Sequence, residues 1–479
     1  MKKIASILAF GAAVTLTASA QPSLTIYNQN FAVVRDTVPL DLKSGVNEVR
    51  FAGATALVEA DSVILRDAAG KRQLQILEQN YRNDPVSQEF LLFLNEGKTI
   101  DFQNIRMKDN TAVREIIPGT IVRSGYDNTG PDKESPIIEV DGKLQFSLPG
   151  QPLFPSLGDD TILKPAFNWL LKTDQPGEFD AEVGYITGGF SWEASYNLVA
   201  PEKGEFVDII GWITMNNHSG TTFRDAKIKL MAGDVQKIQP PAPRRGLEVF
   251  AMKSMEMEDM VTEKSFDEFH LYTLARPTTL RDRETKQVEF VRAERVKAPV
   301  IYVYDGAANI RFYGGLNYDR GFGPGESNKK VAVTREFVNA ETNNLGIALP
   351  AGKLRFYRSN DDRQLEFTGE DRIDHTPRNE TVRVTTGNAF DLVGERKQTD
   401  FRVDTGDKWM EETFEIKLRN RKTEPVSIRV VERLYRWSNW KVTTNTADFI
   451  KKDSQTIEFN VPVKPDEEKV ITYTVRYSW

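Results

Sequence analysis

The chain has 479 residues, with 63 Lys and Arg against 69 Asp and Glu and a formal net charge of -6 at pH 7. With 32 Gly and 23 Pro it is neither collagenous nor of low complexity, and its acidic balance argues against nucleic acid as a partner, which needs a concentrated basic face. So long a chain outgrows one hydrophobic core, and in the absence of Cys those cores, rather than disulfides, must hold it.

In chain order, Met1-Lys2-Lys3, the apolar run from Ile4 to Leu16 and Ala18-Ser19-Ala20 read as an export signal over 1–20, with cleavage before Gln21. That run is too short to cross a bilayer, and no transmembrane segment is expected in the mature chain. No Cys follows the signal, which excludes a lipid anchor, so the expected location is periplasmic or extracellular. From Leu24 onward, short β-rich runs alternate with Asn, Asp and Ser-Gly turns, which predicts N-terminal β-modules over 21–150. Asp84-Pro85 carries the signal for one helical turn, and Phe90–Leu94, Asn95–Lys98 and Thr99–Phe102 read as a hairpin. A middle β-sandwich portion is expected over 151–238, a Pro- and Met-rich linker over 239–270, and a β-rich segment completing the middle domain over 271–375.

The clearest period is C-terminal, over 376–479. Phe414, Ile416 and Leu418 share one face, as do Val426, Ile428 and Val430, and Ile457, Phe459, Val461 and Val463. Period two with one polar face is a half-buried antiparallel strand. The fold expected is therefore all-β: several antiparallel β-modules, with an immunoglobulin-like β-sandwich at the C-terminal end. Ile471, Tyr473, Val475, Tyr477 and Trp479 alternate like the closing strand of an outer-membrane barrel, but the preceding strands are too short and too interrupted for one, and a final sandwich strand is expected.

Several blocks also stand together in order: Thr187–Tyr196, Gly211-Trp212, Ala226–Val235, His270–Leu274, Gly394–Phe401 and Tyr473–Trp479. From about residue 24 to the end, they resemble a bacterial family of exported proteins with a conserved domain of unknown function, related to the C-terminal part of mucoidy-inhibitor-A-like proteins. The resemblance implies β-rich architecture and export, and it carries over no catalytic or binding residue. Relatives of the mucoidy type carry a coiled-coil insert in the N-terminal half, and this chain has no heptad run there.

Candidate sites are few. His218, His270 and His375 are widely spaced and form no close metal-ligand pair, so no metal and no cofactor are expected. Ser327-Asn328-Lys329-Lys330 matches S-x-x-K without the other elements of such an enzyme, and Gly321, Gly323 and Gly325 surround Pro324 in a turn rather than a phosphate loop. Glu411-Glu412, Asp371 and Asp374 offer carboxylates for glycoside hydrolysis, with ion pairs on solvated faces as the plainer reading.

Met252, Met255, Met257 and Met260 place four of the nine Met within nine residues. Loose packing on the sandwich explains them most simply; an adaptable partner surface or a soft site for Cu(I) are the functional alternatives. Tyr435 and Trp437 on one face of a strand, with Trp440 beyond a turn, are either core or a stacking platform for sugar rings. The expectation is an exported, non-catalytic envelope or secreted protein that binds an envelope protein or a surface polysaccharide. The alternative is a glycan- or peptidoglycan-acting hydrolase using a carboxylate pair.

Overall fold

The computed structural model describes residues 21–108, 111–126, 134–157, 161–202, 204–233, 235–237, 261–266, 269–308, 315–321 and 327–479. Strand makes up 63% of it and helix 3%, which is the all-β architecture that the alternation predicts. The expected export signal and most of the Pro- and Met-rich segment fall outside the described residues.

Among the described residues the strands form five sheets. An eight-stranded sheet runs in the order Val261–Phe266, Phe269–Leu274, Phe223–Ala232, Ser23–Tyr27, Phe31–Leu42, Gly177–Gly188 and Ile64–Asp67, with Thr278–Leu280 beside Phe223–Ala232. A three-stranded sheet orders Gly45–Phe51, Ala166–Thr173 and Gln75–Arg82. The middle sheet orders Glu284–Lys297, Phe206–Asn217, Phe190–Ala200, Gly352–Ser359 and Leu365–Ile373. These three sheets share one core, in which Leu24, Val34, Phe167, Val183, Leu198 and Phe356 meet. Strands on both sides of residue 150 pair with one another: Phe31–Leu42 with Gly177–Gly188, and Gly45–Phe51 with Ala166–Thr173.

A small five-stranded sheet orders Gln151–Leu153, Thr99–Lys108, Thr111–Arg123, Ile137–Val140 and Lys143–Gln145, and covers its own core of Ile100, Phe102, Ile121 and Ile138. Here the structure corrects the expected hairpin over Phe90–Phe102: its second arm lies in the strand Thr99–Lys108, but its first arm is not a strand. Gln88–Leu94 is an α-helix whose N-cap is Ser87, with Oγ accepting from the Phe90 N–H at 3.1 Å. A short unbroken apolar run has no period to separate helix from strand. The cap decides it, and the helix begins three residues beyond Pro85, burying Leu91 and Leu92.

The C-terminal sheet has nine strands, in the order Trp440–Asn445, Glu468–Ser478, Trp409–Asn420, Thr381–Asp404, Lys330–Val338, Val300–Tyr304, Val426–Arg433, Thr456–Val463 and Phe449–Lys451. The predicted alternation holds, with Phe414, Ile416, Leu418, Ile428, Val430, Phe459, Val461, Tyr473 and Val475 all buried. The sheet folds over itself: Phe459, from one end of the order, lies 5.6 Å from Tyr473, which also stacks on Phe414 at 5.4 Å. The immunoglobulin arrangement keeps two separate sheets. Here Thr381–Asp404 serves both layers, pairing with Lys330–Val338 through its first half and with Trp409–Asn420 through its second.

Two further differences are local. The antiparallel expectation meets three parallel pairs of strands among the described residues: Ser23–Tyr27 with Phe223–Ala232, Phe190–Ala200 with Gly352–Ser359, and Val300–Tyr304 with Val426–Arg433. The end of the expected linker is a strand, Val261–Phe266, held at a sheet edge by Phe269–Leu274, a pairing that no local period announces.

Candidate functional site

Met252, Met255, Met257 and Met260 lie outside the described residues. Of the two readings of the aromatics, Tyr435 is placed in the core and Trp437 and Trp440 pack partly against it. Tyr435 and Trp437 occupy the connection between Val426–Arg433 and Trp440–Asn445 rather than a strand. Tyr435 is buried, and burial pushes its phenol up to about 12. Trp437 packs partly against the C-terminal core. Trp440 ties the margin of the sheet: its Nε1 donates to the Ser454 carbonyl at 2.6 Å, and Lys451 Nζ stands 4.6 Å from its ring centre.

What fixes this connection is a pair of buried ion pairs. Arg436 Nε lies 2.6 Å from Glu412 Oε2, with both side chains fully buried, while Arg436 Nη1 donates to the carbonyls of Asn317 and Asp319. Arg396 Nε donates to Glu432 Oε2 at 2.8 Å, and the Tyr473 hydroxyl donates to the same oxygen at 2.6 Å. Glu412 also accepts from Gln398 Nε2 at 2.8 Å; its burial pushes the carboxyl up and the Arg436 charge opposes that.

The hydrolytic carboxylates are therefore not gathered. Glu411 points to the opposite face from Glu412, toward Arg476. Asp371 accepts from the Thr385 and Arg372 N–H groups instead. Ser327 of the S-x-x-K match bridges Tyr304 and the Arg396 N–H, and His375 Nδ1 accepts from the Ala351 N–H. No group of three or more His, Asp or Glu placed to hold a metal occurs among the described residues.

A cleft of about 620 Å³ opens where the middle sheet meets the C-terminal sheet. One wall is the face of the Val300–Tyr304 and Lys330–Val338 pair that carries Tyr302, Val333 and Arg335, in register with one another. Phe356, Tyr357 and Arg358 of Gly352–Ser359 form the other wall. The rim carries Phe390, which is 97% exposed.

Phe390 owes its position to a bulge. Lys330 pairs with Val393 and Ala332 with Asn388, so Ala389, Phe390, Asp391 and Leu392 stand opposite Val331 alone. Such an insertion bends the strand and re-aims a side chain. Gly387, just before it, adopts φ 149°, a conformation open to glycine and rarely to other residues. Lys422 Nζ sits 5.3 Å from the Tyr302 ring centre and 3.7 Å from Glu424, while Glu205 and Asp391 add carboxylates to the lining.

None of these cleft residues stood out in the sequence by itself. Two signals were nevertheless present. Arg335 shares the parity of Val331, Val333 and Phe337, which puts a charge on an inward strand position. Thr386-Gly387-Asn388 interrupts the alternation that Val382 and Val384 begin, as a bulge requires.

Comparison with curated proteins gives no match. The model of the family described as Domain of unknown function (DUF4139) matches residues 181–479, more than half of the chain and all of the middle and C-terminal sheets that frame the cleft. The chain belongs to the DUF4139 family.

Proposed function

We propose that the chain is an exported, non-catalytic envelope or secreted protein that binds a surface polymer in the cleft between the middle and C-terminal sheets. The observation that carries this reading is Phe390, a fully exposed ring set by a strand bulge on the rim of a cleft that Tyr302 and Tyr357 also line. Covering one such ring removes enough apolar surface to contribute about 1.5–3 kcal/mol. Clefts between packed units are where ligand sites concentrate. Flat rings cover the C–H faces of sugar rings, and Glu205 and Asp391 are acceptors for sugar hydroxyls.

A peptide would need unpaired strand backbone to add to. The lining strands Val300–Tyr304, Lys330–Val338 and Gly352–Ser359 each have neighbours on both sides, which favours a ligand held by side chains. Export rests on the signal-like residues 1–20.

The test is a photo-crosslinking amino acid placed at position 390 in intact cells, with the exposed Ile450 as control position. The expected result is a polysaccharide adduct at 390 and none at 450. No adduct at 390, or an adduct with protein alone, overturns the reading.

A further inference from the structure

Three arginines are buried among the described residues: Arg335, Arg396 and Arg436. Two of them are neutralised inside the protein, Arg396 by Glu432 and Arg436 by Glu412. Arg335 is 5% exposed, and its Nη1 donates to the Ala298 carbonyl at 2.7 Å. No carboxylate pairs with it among the described residues. A buried guanidinium without a counter-charge is costly, and folded proteins rarely keep one without a use. Burial and the neighbouring charge of Arg358 both push the Arg335 guanidinium below its ordinary range, whereas a bound anion would act against both by favouring the charged form.

Arg335 lines the cleft, with Arg358 and the rings of Tyr302, Tyr357 and Phe390. Arg358 is held in place by its Nε and Nη2, which both donate to the Glu202 carbonyl at 3.1 and 2.6 Å. We propose that the polymer bound here is an acidic saccharide, with Arg335 and Arg358 seating the carboxylate of a sugar acid while the rings cover its pyranose face. This rests on the polymer-binding reading and names its ligand class.

The rest of the lining selects among anions. Glu205 and Asp391 also line the cleft, and neither forms an ion pair among the described residues. They disfavour a compact dianion such as phosphate. A single carboxylate carried on a hydroxyl-rich ring suits them, because its hydroxyls donate to carboxylate oxygens while its own charge meets the guanidinium groups.

The experiment is calorimetric titration of the full chain with an oligogalacturonate and with its methyl ester of equal length, repeated on Arg335→Met and Arg358→Gln. The wild type is expected to bind the acid at least about tenfold more tightly than the ester, and Arg335→Met to erase that preference. Arg335→Met also removes the buried hydrogen bond to the Ala298 carbonyl, so a lowered melting midpoint is compatible with either role, and the acid-over-ester preference, which a merely structural arginine would leave in place, decides. If Arg335→Met does not fold, Arg358→Gln, at an exposed side chain, reports the same preference, expected to fall several-fold.

Equal affinity for acid and ester in every protein overturns the carboxylate seat while leaving polymer binding intact. A wild type that binds neither oligomer overturns the ligand class, and the adduct at position 390 then decides the polymer reading separately.

Discussion

Replacing Glu432 by glutamine keeps the shape of the side chain and removes the charge that Arg396 faces. Arg396 is buried and its guanidinium lies 3.7 Å from the Phe414 ring centre, so no water is at hand to replace the lost carboxylate. Breaking one partner of a buried pair costs about 3–5 kcal/mol, most of it the penalty of the charge left behind. For a unit the size of the C-terminal sheet that is a fall of roughly 6–20 °C in melting midpoint.

Tyr473→Phe removes only the hydroxyl that donates to Glu432 and should cost about 1–2 kcal/mol. The double variant Arg396→Met, Glu432→Leu removes both charges and should recover most of the loss. Trp409, Trp437, Trp440 and Trp479 lie in the C-terminal part and Trp169, Trp192 and Trp212 before it, so tryptophan fluorescence in urea reads both parts, and the transition that Glu432→Gln moves is the C-terminal one. A loss below about 1 kcal/mol for Glu432→Gln would place the pair with solvated surface bridges and refute the burial argument. A double variant no better than the single one would refute the charge argument.

Three other outcomes follow from local geometry. The Asp67 carboxylate accepts from the N–H of Ala69 at 2.8 Å and, against the effect of burial, from those of Arg72 and Lys71 at 3.0 and 3.1 Å; together these hold it below the usual carboxylate range. A carboxyl lowered by folding contributes stability above its unfolded value of about 3.9, and that contribution is lost as pH falls through the folded value. Asp67→Asn should therefore flatten the acid limb of a urea-midpoint profile; an unchanged limb would assign the acid sensitivity elsewhere. At Gly394 an added Cβ would stand 2.1 Å from the Tyr304 ring, so Gly394→Ala should destabilise by about 1–3 kcal/mol or more in thermal unfolding, and a midpoint equal to wild type would contradict that packing. Phe390→Ala removes a ring that touches water on nearly every side and should change stability by less than about 0.5 kcal/mol, whereas a larger loss would make Phe390 a structural residue.

The sequence disclosed its strands wherever one face is apolar and the other polar, as in Phe414–Leu418 and Ile457–Val463. It did not disclose Phe90–Leu94, because a five-residue apolar run fits either period and only the Ser87 cap, seen in three dimensions, settles it. Tyr435 and Trp437 have strand spacing, yet Arg436 between them is drawn inward by Glu412 and takes Tyr435 into the core. Glu412 and Glu432 stand at the inward parity of their strands, between apolar residues, a pattern that in retrospect marks buried charge rather than a solvated face.

The cleft was the least legible part. Its lining comes from Glu205, Arg335, Tyr357 and Phe390, which only the parallel pairing of Phe190–Ala200 with Gly352–Ser359 and the fold of Thr381–Asp404 bring together. No local pattern encodes such a meeting.

The most direct measurement is co-sedimentation of the purified full chain with isolated envelope polysaccharide, comparing wild type with Phe390→Ala and with Tyr302→Ala, Tyr357→Ala. If the cleft is the seat, the wild type sediments with the polymer, and each variant stays in solution while keeping its folded spectrum. Variants that sediment as the wild type does, or a wild type that stays in solution, would show that the polymer is not bound there.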